Sequence, residues 1–210
     1  MPAVTRRSLL VCAALGSVTA AQAATRIPVH HLIDAGARLS PARLAWFRDT
    51  IWAEAVRDFG RLGIGFTVTE SSHAVQRTPG GRPRFESLAR GAINFVVTHQ
   101  LPLAWDAGRG VAGVATLHDG FHIAMAALDH AHGHRIPMLA VNTCTHELLH
   151  ILLGDIFEPR PPGWRGSWRE TRIDAIATRL WLTGGDAGGA IAAGARRFTK
   201  ALAQQRGLPG

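Results

Sequence analysis

The stretch with the densest chemistry in this chain is Thr145-His146-Glu147-Leu148-Leu149-His150. On a helix, side chains four residues apart project from one face, one turn above the other. His146 and His150 can then offer imidazole nitrogens to a single ion. Glu147 lies beside them, where its carboxylate can take a proton from water. With this chain's own histidine and glutamate content, such a spacing arises by chance roughly once in 60 sequences. The reading therefore needs a further ligand, since a catalytic ion of this kind takes three protein ligands and leaves one position open.

Three carboxylates compete for that third place. Glu170 lies 20 residues after His150, and Asp174 follows it four later in Glu170-Thr171-Arg172-Ile173-Asp174, an E-x-x-x-D on one helical face. Asp155 comes directly after Gly154. Glu170 also has a purely structural reading. Ser167-Trp168-Arg169-Glu170 fits a capping box in which the glutamate bonds the backbone of Ser167. Asp174 would then be the ligand, with Ala175 and Ala177 letting the two helices approach.

The elements that must position these residues follow from periodicity and punctuation. Arg26–Ala35 reads as a strand. Ser40 before Pro41 is a helix start, and Leu44, Phe47, Ile51, Ala55 and Phe59 continue it at spacings of three and four towards Gly60 or Gly63. Ile64–Glu70 returns to strand, Ser71–Pro83 to loop, and Ala92–Leu101 and Phe121–Leu128 to strands. Within Pro137–Gly154, Asn142 is the expected N-cap and Gly154 sits just past the end of the motif helix. Glu158–Gly166 is a loop, Ser167–Leu182 a helix and Gly188–Gln205 a final helix. The expected fold is α+β: a small mixed sheet packed on a long helix, followed by the motif helix and a small helical C-terminal part.

The H-E-x-x-H motif followed by E-x-x-x-D resembles the gluzincin clan of zinc peptidases, whose thermolysin-like members carry this pairing at a similar separation. The resemblance spans Thr145 to Asp174. It implies a zincin-like fold and Zn2+ held by His146, His150 and Glu170. Asp174 would accept the other ring N–H of His146, Glu147 would serve as general base, and a protein or peptide would be the substrate. Metzincins are the second resemblance: a strand-helix-strand order precedes their motif, and a ligand, sometimes aspartate, follows a glycine turn, which would make Asp155 the ligand. Their pattern H-E-x-x-H-x-x-G-x-x-H/D puts Leu153 at the glycine position. No methionine follows Met138 to form their methionine turn. In zincins an edge strand before the motif helix binds the substrate backbone, which makes His118 and His122 candidates for the cleft.

Composition bounds the rest. Residues 1–23 carry Arg6-Arg7, the apolar run Leu9–Ala20 and Ala21-Gln22-Ala23, the marks of a cleaved signal peptide that resembles the twin-arginine type. The expected location is periplasmic or secreted, with residues 24–210 as one domain and no stable membrane insertion. Cys12 leaves with that segment, so Cys144 alone remains; it is expected to be a small buried residue, and a thiolate metal site is excluded. The formal charge is +8 over the whole chain. The arginines are scattered without interleaved aromatics, so nucleic acid is not an expected partner. Trp46, Trp52, Trp168 and Trp181 fall at helical core positions. There is no tyrosine, so any side chain that stabilises an oxyanion must be histidine or arginine. Two other functions compete with the peptidase: a non-catalytic, zinc-stabilised zincin-like binding module, and a periplasmic metal-handling protein using Asp129-His130-Ala131-His132-Gly133-His134.

Overall fold

The computed structural model describes residues 25–77, 83–101, 112–130, 132, 141–154 and 168–206. The segment 1–23 expected to be a signal peptide, Asp155, Ser167 and the expected loop 158–166 lie outside the described residues. The helices are α1 (Pro41–Trp46), α2 (Ala53–Gly60), α3 (Thr143–Leu153), α4 (Trp168–Thr183) and α5 (Ala190–Arg206). The strands are β1 (Thr25–Asp34), β2 (Ile64–His73), β3 (Gln76–Arg77), β4 (Pro83–Arg84), β5 (Ile93–Thr98), β6 (Gly113–His118) and β7 (Phe121–Ala127).

Five strands form one sheet in the order β2-β1-β5-β7-β6; β3 and β4 pair separately. β2, β1, β5 and β7 are parallel, while β6 runs antiparallel to β7 at the end of the sheet. The architecture is therefore mixed α and β with a mostly parallel sheet. β5 is buried at every position, as expected of a parallel strand covered on both faces. Ile27, Val29, Ile33, Phe95, Ala124 and Ala126 face the helices, joining Phe47, Phe59, Leu148, Ile173 and Phe198 in the main core. Leu32, Val96, Val114, Ile123 and Met125 point to the other face, where Val75, Phe85 and Leu88 cover them.

The sheet differs from the sequence reading in two respects. First, β6 is an additional strand, and among the described residues it forms the edge of the sheet beside β7. The strand that immediately precedes the motif helix, β7, lies inside the sheet and cannot accept an added strand. Second, β2 continues to His73 and is followed by the short β3–β4 pair, where a loop was expected. Strand pairing with β1 along all ten positions from Thr25↔Ile64 to Asp34↔His73 holds the polar end of β2 extended.

The helix expected from Ser40 onwards starts as read, with Ser40 Oγ accepting the Arg43 N–H at 3.2 Å. Between α1 and α2 it widens into a π-helical segment, Phe47–Trp52. A π turn inserts an extra residue into the helical ladder and rearranges its carbonyls. One of them, Ile51 O, accepts a hydrogen bond from Asn142 Nδ2 at 2.6 Å. The same asparagine caps α3: its Oδ1 accepts the Cys144 N–H at 2.7 Å. Asn142 thus ties the first helix to the start of the motif helix.

Candidate metal centre

α3 begins at its Asn142 cap and ends at Gly154, whose left-handed backbone (φ 74°) terminates the helix without a Cβ clash. It is buried almost throughout, from Thr143 to Leu152. Leu148, Leu149 and Ile151 anchor it in the main core. Its sheet-facing side rests on β6 and β7. Those strands offer an in-register floor of small residues, Gly113↔Ala126 and Ala115↔Ala124. α5 closes in from another side, and Gly194 has no room for a side chain because a Cβ there would strike the Leu152 carbonyl.

On this fixed helix His146 and His150 turn their Nε2 atoms towards each other, 3.0 Å apart. α4 brings Glu170 to the pair: Oε2 lies 3.4 Å from His146 Nε2 and Oε1 lies 3.6 Å from His150 Nε2. One ligand atom from each residue falls within 4.8 Å of the others, a group able to hold a metal ion. An ion with bonds of ~2.0–2.1 Å in tetrahedral coordination separates its ligand atoms by about 3.3 Å. The nitrogen–nitrogen separation and the two nitrogen–oxygen distances, one to each oxygen of Glu170, lie around that value, so two imidazoles and a carboxylate are close enough to hold a metal ion. Among the described residues no other group of three histidine, cysteine or acidic side chains converges this closely.

The other ring nitrogen of His146, Nδ1, stands 3.0 Å from Asp174 Oδ1. Four residues separate Glu170 from Asp174, so both reach α3 from one face of α4. One meets the Nε2 side of the imidazole and the other its Nδ1 side. Oδ1 has no aligned hydrogen bond among the described residues; a proton on Nδ1 facing this carboxylate would leave Nε2 as the lone-pair donor, the tautomer a metal ligand needs. Of the three sequence candidates for the third ligand, the structure brings Glu170 to both histidines and Asp174 to the back of one. Asp155 is outside the described residues, as is Ser167, the other half of the capping box.

Glu147 is 1% exposed, and its Oε1 has no hydrogen-bond partner among the described residues. A buried carboxylate oxygen without a partner is costly and is not explained by packing alone. Its neighbour across the sheet is Gly113: a Cβ at that glycine would lie 2.5 Å from Glu147 Oε1 and 2.7 Å from its Cγ.

The remaining described histidines lie elsewhere. His118 packs against Phe85 and pairs with Asp119 at 3.4 Å. His122 sits edge-on to Phe198, and burial lowers its pKa. Neither joins the metal group. His132 forms an isolated bridge with Asn142 and lies 3.6 Å from Glu54, against α2; His134 falls outside the described residues. His31 is enclosed by Phe47, Trp52 and Phe95, and desolvation takes its pKa down to about 4. Cys144 is buried, and desolvation pushes its thiol well up, so it is no nucleophile. Trp52 is core, Trp46 and Trp181 are half-buried, and the Trp168 side chain is outside the description.

The one site component that sequence reasoning missed is Gly113, because β6 itself was missed. A signal for it was present. Asp119-Gly120 joins two apolar runs, and Asp-Gly favours the two-residue hairpin turn with both φ positive. The structure has that conformation, with φ 49° and 80°.

Comparison with protein-family models, with curated proteins and with solved structures finds no match to this chain in any of the three.

Proposed function

We propose that the chain is a zinc-dependent metallopeptidase of zincin type. The observation that carries this reading is the buried Glu147 carboxylate, whose Oε1 has no hydrogen-bond partner among the described residues, one residue along the helix from a His146–His150–Glu170 group able to hold a metal ion. A bare metal store needs the two histidines and Glu170 but has no use for Glu147. Two nitrogens and one carboxylate form the donor set of catalytic rather than structural zinc sites, which leave a position open. β6 supports the peptide-substrate part of the reading. Among the described residues it ends the sheet, runs antiparallel and passes Glu147 at Gly113, so an extended peptide bonded to its outer edge would run past that carboxylate.

His146, His150 and Glu170 would hold the ion, and Asp174 would fix the His146 imidazole from behind. When bound, zinc supplies a Lewis acid and brings the pKa of a coordinated water to ~7. Glu147 accepts the proton of the attacking water at its carboxylate and passes it to the nitrogen of the departing amine. The segment before β1 carries the features of an export signal, which puts the reaction outside the cytoplasm.

The test is metal analysis of the purified protein with peptidase assays on unfolded protein substrates. Wild type should carry one zinc per chain and cleave. Glu147→Gln should keep the zinc and lose activity by at least about 100-fold, while Glu170→Ala should lose most of its zinc. Cleavage that survives in Glu147→Gln would overturn the assignment of the base. A protein with one tight zinc and no cleavage of any unfolded substrate would favour the binding module, and several weak ions per chain would favour metal handling.

A further inference from the structure

We infer that Gly113, on the neighbouring strand β6, is a positioning residue for the Glu147 carboxylate: the strand leaves a slot one side chain deep, and Glu147 fills it. The inference rests on the proposed role of Glu147. Its geometry stands independently.

α3 reaches β6 over the floor of Gly113, Ala115, Ala124 and Ala126. At the Gly113 corner even alanine is too large. A Cβ there would stand 2.5 Å from Glu147 Oε1, 2.7 Å from Glu147 Cγ and 2.7 Å from Thr143 Cγ2, all distances that side-chain carbons do not tolerate. Thr143 and Glu147 are four apart, so both overhang the same point of the strand. Their room to yield is small. Thr143 is 5% exposed and Glu147 1%, α3 is pinned by Asn142 at its start, and α5 crosses it at Gly194. The φ of Gly113 is not positive, so backbone conformation does not demand glycine there; the space does. A methyl group at 113 therefore drives the Glu147 carboxylate out of its slot. His146 and His150 project at other angles around the helix and keep their places.

The experiment uses a Thr143→Ser background, which removes the γ-methyl and leaves Glu147 as the remaining obstacle. Gly113→Ala, Glu147→Ala and the pair together are compared by denaturant unfolding, zinc stoichiometry and steady-state kinetics. Gly113→Ala should keep one zinc per chain and lose about 100-fold in kcat with little change in KM, as a displaced catalytic group does. Its stability loss should fall to roughly half or less when residue 147 is already alanine, the signature of two side chains competing for one space. If Gly113→Ala does not fold alone, recovery of folding in the double variant supports the inference, and failure to recover overturns it. Equal stability losses on both backgrounds, or unchanged kcat, also overturn it. If no form of the protein has peptidase activity, the proposed function fails. The stability cycle still decides whether Gly113 and Glu147 are coupled.

Discussion

On the proposed function, removing the Asp174 carboxylate should weaken zinc binding by a predictable amount while leaving the three proposed ligands in place. Asp174 Oδ1 stands 3.0 Å from His146 Nδ1, with the histidine side chain 3% exposed and the aspartate 26%. In this structure the pair is a close ion-pair contact in which Oδ1 has no aligned hydrogen bond. A hydrogen bond to a charged group, formed when Nδ1–H turns to it, contributes ~1.5–3 kcal/mol, and solvent at the aspartate draws this towards the lower end. At about 1.4 kcal/mol per factor of ten, the expected loss in zinc affinity for Asp174→Ala is ~10–100-fold, the usual range for a group that orients a ligating histidine. Asp174→Asn keeps an oxygen able to accept the Nδ1–H but lacks the charge, so its loss should be smaller. Competition with a chromophoric chelator at neutral pH measures all three proteins. Wild-type affinity in Asp174→Ala would refute the orienting role. Abolished binding in Asp174→Ala alongside full binding in Glu170→Ala would show that Asp174 is itself the ligand, contrary to the geometry described above.

Two further outcomes follow from buried polar groups away from the candidate metal centre. His31 is neutral in the fold because desolvation holds its pKa at about 4, whereas in the unfolded chain it titrates near 6.5. Above that pH both states are neutral and the residue exerts no pH effect; as pH falls towards 4 the unfolded state gains the proton first and stability drops, by at most about 3 kcal/mol. His31→Leu should flatten this decline in unfolding experiments across the interval, and an unchanged pH profile would exclude His31 as its source. Asn142→Asp retains the N-cap acceptor and suits the helix dipole, yet its carboxylate cannot donate to Ile51 O and it faces Glu54. It should be less stable than wild type by ~1–3 kcal/mol in chemical denaturation; equal stability would mean that the bond to the π segment has no weight.

What was legible beforehand was local. The start at Ser40-Pro41, the cap at Asn142, the stop at Gly154 and the last helix each depend on residues within a turn or two of each other. The structure has them within a few residues of their expected places. The α+β class followed from the alternation of such segments. β6 was overlooked because Gly113-Val-Ala-Thr-Leu-His118 is short and built of small residues at the end that faces α3, so its hydrophobic signal is weak. The π segment left no mark either, since Leu44, Phe47, Ile51 and Ala55 fit an ordinary helical repeat. What accompanies the wider turn is long-range, the bond from Asn142 to Ile51 O, 91 positions apart in sequence.

The same division runs through the candidate site. The spacing of His146, Glu147 and His150 follows from the sequence alone, because helical geometry places residues four apart on one face whatever lies around them. The sequence also confined the third ligand to three carboxylates. Whether Glu170 or Asp174 meets the Nε2 atoms depends on the angle at which α4 meets α3, where Ile173, Ile176 and Ala177 share the main core with Leu148, and no local rule contains that angle. That Glu147 lies against a glycine 34 positions earlier depends on the pairing of β6 with β7 and on the closeness with which α3 settles on them. These are contacts between distant segments, and they exist only once the chain has folded.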